Sequence, residues 1–242
     1  FEEYAIEVAS RIDPCVQLAL ELSCGTGRVT NHLRKVLPSS TKLVASDISP
    51  DMLAVAKEKL KTSNIAWQII DAQQIPFDDN SFDLVVCCFG YMFVDRSRAF
   101  IEALRVLRPA GMLILSTWDK LEHNEASHVF RKTVKKYFGD SLPETYKLPF
   151  SMHDPFVIKE QLHRSGFSKV NADVIVKNSV CATAKEATYG LVHGGSLYNE
   201  IVKHNPEWLE EIKTIVESEL TEKYGAAPMV APMRAIISQA WK

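Results

Sequence analysis

From residue 16 to residue 117, short apolar runs alternate with stretches of helical spacing. Val16–Leu22, Lys42–Ser46, Ile65–Ile70, Phe82–Cys88 and Met112–Thr117 read as strands. Phe82–Cys88 is almost wholly apolar, as expected where a sheet is covered on both faces. Between the strands, a helix is expected over Gly27–Leu37, closed by Pro38. Ser49-Pro50-Asp51 supplies a cap and a first-turn proline for a second helix, with Leu53, Ala56 and Leu60 on one face. Pro76–Ser81 reads as loop. Phe100, Ala103, Leu104 and Leu107 mark one side of a third helix, which Pro109-Ala110-Gly111 should end. This rhythm argues for a parallel sheet with helices on both faces and right-handed crossovers. Ligands of such sheets bind outside the carboxyl ends of the strands.

After Trp118 the rhythm changes. Residues 124–138 and Asp154–Ser165 read as helices, the second ended by Gly166. Ser168–Lys177 and Pro232–Trp241 read as two late strands, which brings the sheet to seven. Residues 186–224 read as a helical insert whose last helix carries Leu209, Ile212, Val216 and Leu220 on one face. Residues 1–118 are therefore expected to form the ligand-binding half. Residues 119–242 are expected to complete the same domain, with helical cap inserts at about 119–165 and 184–230 that select the substrate.

The net charge of −2 points to no large phosphate-binding surface and argues against a nucleic-acid partner. The one basic cluster, Arg131, Lys132, Lys135 and Lys136, reads as a solvated helix face. Cys15, Cys24, Cys87, Cys88 and Cys181 show no C-x-x-C spacing, which implies free thiols in a reducing, cytoplasmic compartment. No apolar stretch reaches the roughly 18 residues that a membrane span requires. The chain begins at Phe1 rather than Met, which leaves open a removed targeting segment. No His/Cys/Asp cluster has metal-ligand spacing, so no metal is expected.

The residues "LELSCGTG" put Gly25 and Gly27 where the first strand turns into the first helix. Glycine permits positive φ and close approach of a ligand to the backbone. The carboxylates narrow the ligand. Glu21, at the strand end, would repel a diphosphate but accept bonds from an ammonium group. Asp47 ends the second strand, twenty residues after Gly27, where an acid grips ribose hydroxyls. Asp71 follows the third strand and suits an adenine amino group, while Ile48 and Met52 offer apolar cover for the adenine faces. A dinucleotide site would have a third glycine at Thr30, and a phosphate-binding loop would end in Gly-Lys-Ser/Thr; neither is present. Acids for an amine, a ribose and an adenine together describe an adenosyl amino acid.

At these residues the chain resembles a class I S-adenosylmethionine-dependent methyltransferase, of the broad group that includes ubiquinone and menaquinone methyltransferases. "LELSCGTG" resembles the family's first motif, with Ser23 where a glycine is usual. "ASDISPDML" resembles the ribose-binding acidic motif, and "DAQQIPFDDNSFDLVVC" the stretch from the adenine acid to the fourth strand. "RVLRPAGMLILSTW" resembles the family's Arg-Val-Leu-Arg-Pro-Gly-Gly run, with Ala110 replacing one glycine. The resemblance implies a Rossmann-like, doubly wound, mostly parallel seven-stranded sheet with a helical cap insert. It implies S-adenosylmethionine as cofactor and a small-molecule methyl acceptor. Glu21 should face the methionine amine. Ser23, Cys24, Gly25 and Gly27 should pass against the methionine part. Asp47 should hold the ribose, and Asp71 and Ala72 should flank the adenine edge. Cys88 and Phe89 should lie beside the sulfonium and the entering acceptor.

A general base is needed only for a weakly acidic nucleophile such as a phenol. His123, His128, His153, His163, His193 and His204 are candidates by type alone, with His193, before Gly194-Gly195, the first to consider. No catalytic residue can be assigned from the sequence. A cofactor-binding regulator without transferase activity, or a protein methyltransferase, remains an alternative.

Overall fold

A computed structural model describes residues 1–61 and 64–242. The chain opens with helix α1 (Glu2–Ala9), followed by β1 (Leu18–Leu22), α2 (Arg28–Val36), β2 (Lys42–Asp47), α3 (Pro50–Lys59), β3 (Ile65–Ile69) and β4 (Phe82–Cys88). Next come α4 (Arg96–Val106), β5 (Leu107–Trp118), α5 (Glu125–Phe138), α6 (Pro155–Arg164) and β6 (Lys169–Cys181). Helices α7 (Ala184–His193), α8 (Leu197–His204) and α9 (Trp208–Tyr224) precede the last strand, β7 (Met229–Trp241).

Among the described residues, seven strands form one sheet in the order β3-β2-β1-β4-β5-β7-β6. Pairs β1–β2, β2–β3, β1–β4 and β4–β5 are parallel. Strand β7 runs against β5: Lys242 N–H bonds Gly111 O at one end and Asp119 N–H bonds Arg234 O at the other. The expected mostly parallel, Rossmann-like sheet is therefore present, with this antiparallel pairing added. The direction of strand addition reverses between β1 and β4. Right-handed crossovers consequently place α2 and α3 on one face and α4 on the other.

The chain divides into two units. The first comprises Phe1–Thr117, Asp154–Val174 and Ala235–Lys242, and the second Trp118–His153 and Ile175–Arg234. The core of the first unit is the central sheet, where Leu20, Leu22, Leu84, Val85 and Val86 are wholly buried. The second unit packs its own core from α5, α7, α8 and α9, including Val134, Val192, Ile201, Ile212, Val216 and Leu220.

Local chemistry sets the helix starts. Ser49 accepts the Met52 N–H ahead of Pro50, and Asp154 accepts the N–H groups of Phe156 and Val157 ahead of Pro155. The structure moves one boundary of consequence. The third helix was expected to run past Leu107 to a Pro-Ala-Gly stop, with a strand from Met112. Instead α4 ends at Val106 and β5 begins at once. Phe82 pairs with Leu107 and Leu84 with Met112, so Arg108–Gly111 bulge out of the ladder. Ala110 adopts φ 64° there, and Arg108 is anchored by Asp83 at 2.8 Å. The late strands are also longer than expected, at Lys169–Cys181 and Met229–Trp241.

Helix α1 was not anticipated. Its apolar positions Tyr4, Ala5, Val8 and Ala9 follow helical spacing and are buried. Glu2 ties it to α2 through Arg28 at 2.8 Å and His32 at 2.6 Å.

Candidate functional site

The parallel register brings the expected acids to one edge of the sheet. Glu21 stands beside Ala45 of β2 and Val86 of β4, and Asp47 beside Ile69 at the end of β3. Asp71 follows two residues beyond that end, and Cys88 ends β4. Strands β3, β2, β1 and β4 are consecutive neighbours, so their carboxyl ends form a row at the point where the winding reverses.

Glu21 is 1% exposed, and among the described residues no group lies in hydrogen-bonding geometry with its Oε2. Burial pushes its carboxyl up to about 8; the neighbouring Asp47 charge adds to that, and Thr30 opposes it. A buried, unpartnered carboxyl oxygen is costly unless something meets it. The turn beyond it is built from positive-φ residues, with Ser23 at 54°, Gly25 at 55° and Gly27 at 81°. The glycines do different work. A Cβ on Gly25 would have nothing within 4 Å, so that flank of the turn is open space. A Cβ on Gly27 would meet Leu60 Cδ1 at 2.9 Å and Ala56 Cβ at 3.2 Å, so Gly27 permits α2 to pack on α3.

Asp47 braces the same turn. Its Oδ2 accepts the Gly25 N–H at 2.8 Å and its Oδ1 accepts the Ser49 N–H at 2.9 Å. A carboxylate has about four acceptor positions, so capacity remains. Cys24 N–H bonds Ser46 O at 2.8 Å, and Ser46 Oγ bonds Glu21 O at 2.8 Å, which fixes β1 and β2 at this end. Ile48 and Met52 follow, 66% and 46% exposed despite being apolar.

Asp71 Oδ1 accepts the Gln73 N–H at 2.8 Å, and Ala72 beside it is buried. The loop beyond is held by Arg105 of α4, which donates to Ile75 O, Phe77 O, Asp79 and Glu102. The sequence reading gave Arg105 no role apart from its motif.

Phe89 adopts φ 57°, with its N–H on Ser116 O at 2.9 Å. Its ring meets Phe1 at 5.4 Å and Tyr4 at 6.1 Å, both edge-on. Phe1 and Tyr4 were missed, although their spacing with Val8 was visible. Burial raises the thiols of Cys24, Cys87 and Cys88, that of Cys87 to about 12. They remain protonated and are not nucleophiles at neutral pH. An open groove of about 410 Å³ lies at the opposite, amino ends of β1–β3, lined by Lys42, Asn64 and Ile65 among others, and contains none of these acids.

Of the six histidines considered, His123 has a carboxylate partner: Nδ1 lies 2.7 Å from Asp119 Oδ2, and Asp119 is 6% exposed. His153, His163 and His193 instead direct Nδ1 to backbone carbonyls. His193, the first considered, stacks on Tyr189 at 4.1 Å. Among the described residues, no group of three or more His, Cys, Asp or Glu is placed to hold a metal ion. Nor is any helix long and apolar enough to cross a membrane.

Residues 20–115 match a family described as a methyltransferase domain. The ubiquinone/menaquinone biosynthesis C-methyltransferase UbiE of Shewanella halifaxensis is 29% identical over 171 residues, which cover 63% of this chain and 66% of that protein. The protein of the same name from Shewanella oneidensis is 30% identical over 190 residues, 71% of this chain and 73% of its own. The YcgJ protein of Bacillus subtilis superposes with a TM-score of 0.64 at 15% identity, covering 99% of this chain and 98% of that one, a likeness of fold. The chain thus spans about two thirds of the first of these relatives and carries the glycine turn and the acids within the matched domain. It belongs to the class I S-adenosylmethionine-dependent methyltransferases.

Proposed function

We propose that this chain transfers a methyl group from S-adenosylmethionine to a small organic acceptor. The observation that carries the reading is the orphaned Glu21 Oε2 at the same strand edge as the open flank of Gly25. The residues present fit the cofactor. Glu21 would receive its ammonium group, which restores a partner to the buried carboxyl. Ser23, Cys24, Gly25 and Gly27 would lie along its methionine part. Asp47, with acceptor capacity left, would hold the ribose hydroxyls. Asp71 and Ala72 would meet the adenine edge, and Ile48 and Met52 its faces. Cys88 and Phe89 would border the reacting end.

The bound cofactor supplies an electrophilic methyl on sulfur. The chain's own contribution is alignment and exclusion of water, with the nucleophile about 3 Å from the methyl carbon. Within the second unit, His123 and Asp119 form an imidazole–carboxylate pair. With Nδ1–H donated to Asp119, the His123 Nε2 is left as an acceptor. Acceptor choice would rest with the second unit, which carries Tyr146, Phe150, Tyr189, Tyr198 and Trp208. The relatives' names make a quinol ring one acceptor to try. The net charge of −2 argues against nucleic acid, and the five free thiols suit a reducing, cytoplasmic setting.

The test is incubation of purified protein with methyl-labelled cofactor, a demethylated naphthoquinol and a fractionated metabolite extract. Label in one small-molecule fraction is the expected outcome. Cofactor binding without transfer would favour a regulator, and label in polypeptide would favour a protein acceptor.

A further inference from the structure

Arg131 lies in the basic run that reads as a solvated face of α5, and the structure corrects that reading. Lys132, Lys135 and Lys136 are exposed, but Arg131 is 8% exposed. Among the described residues, no carboxylate lies within ion-pair distance of it. Its guanidinium sits over the rings of Tyr146 at 5.3 Å and Phe150 at 5.2 Å. One nitrogen, Nη1, donates to Tyr146 O. Tyr146 returns a bond from its hydroxyl to Arg131 O at 3.1 Å. The Thr145 hydroxyl, next in the chain, is buried and has no partner among the described residues.

A guanidinium has five N–H donors in a planar fork. The guanidinium carbon lies over the two rings, and one carbonyl takes one donor. Ring quadrupoles and a single carbonyl do not offset the removal of a full charge from water. Burial lowers Arg131 to about 10, which leaves it protonated at neutral pH. A buried cation kept without an acid is a group prepared for an anion that comes from outside the chain. The fork pairs two parallel N–H bonds with a planar carboxylate. The flanking rings favour a flat body behind that carboxylate.

We propose that Arg131, with Tyr146 and Phe150, forms a recognition site within the second unit for the carboxylate of a planar small molecule. Its ligand class is an acidic aromatic or unsaturated small molecule.

Calorimetry on the purified chain tests it without turnover, using benzoate, benzamide and phenyl phosphate as probes. Benzoate is expected to bind about tenfold or more tightly than benzamide, the difference of one charge-assisted contact. Arg131→Met should reduce benzoate binding to the benzamide level, and Arg131→Lys should retain part of it. A melting curve on each variant separates lost binding from lost fold. If Arg131→Met does not fold, the wild-type probe series and Arg131→Lys still decide. Absent benzoate binding, equal affinity for benzoate and benzamide, or full binding by folded Arg131→Met would overturn the proposal. Phenyl phosphate binding more tightly than benzoate would overturn the choice of carboxylate. S-adenosylhomocysteine binding, measured on the same samples, reports separately on the methyltransferase reading.

Discussion

The Ser23 side chain occupies the space that Gly90 leaves by having none. A Cβ on Gly90 would stand 2.4 Å from Ser23 Oγ, 2.5 Å from Ser23 Cβ and 2.8 Å from Cys87 Sγ. Gly90 itself has ordinary helical torsions, so its role is spatial. The two positions are coupled in space: the turn at Ser23, φ 54°, has room for a side chain where the loop after β4 carries a glycine.

Gly90→Ala should therefore displace the turn, lower the melting temperature and weaken cofactor binding together. Ser23→Gly should relieve a left-handed conformation that costs a side-chain residue about 1 kcal/mol, and so stabilise the chain modestly. The double variant should recover part of the Gly90→Ala loss, since the Cys87 contact remains. Additive effects across a denaturation cycle would show that the two residues are independent.

Asp47→Ala removes acceptors for two backbone N–H groups as well as any ribose contact. Cofactor affinity should fall by ~1–3 kcal/mol, the range for hydrogen bonds to a charged group. Asp47→Asn should lose less, because one carbonyl oxygen survives. Titration of S-adenosylhomocysteine by calorimetry reads both, and unchanged affinity in the alanine variant would remove Asp47 from the binding site.

The two glycines of the turn should respond differently. Gly25→Val projects into open space, so binding should be lost while the fold survives a strain of about 1–2 kcal/mol. Gly27→Ala presses on Leu60 and Ala56, so its main effect should be on stability, about 1–3 kcal/mol. Paired melting and binding curves separate the two. Normal affinity in Gly25→Val would contradict a ligand lying against that flank.

Glu21 makes cofactor stabilisation pH-dependent. Its carboxyl is raised from 4.5 to about 8 in the fold, mainly by burial. A carboxyl raised in this way contributes stability that is complete below about pH 4.5 and is lost as pH rises through about 8. An ammonium partner favours the ionised form and restores what ionisation removes. The thermal shift produced by S-adenosylhomocysteine should therefore grow from about pH 6 to 8 in the wild type and stay flat in Glu21→Gln. Identical slopes in the two proteins would show that Glu21 does not meet the amine.

The sheet, its helices and the row of acids were legible in the amino-acid order, because each depends on spacing along a short segment. Alternating apolar runs define β1 to β4. Gly25 and Gly27 mark the turn, and Asp47 and Asp71 fall just where strands end. The boundary at Val106–Leu107 was not legible, since a Pro-Ala-Gly run reads as a helix stop until β4 pairs across it and leaves it as a bulge. Helix α1 has a readable apolar face, but its relation to Phe89 joins residues some eighty positions apart. Arg131 is the sharpest case. Its neighbours in sequence are exposed lysines, and only packing against Tyr146 and Phe150 takes it out of water. Local pattern specifies elements and the residues at their ends. Burial, orphaned polar atoms and the seating of Ser23 on Gly90 arise from contacts between distant segments, and only the folded chain decides them.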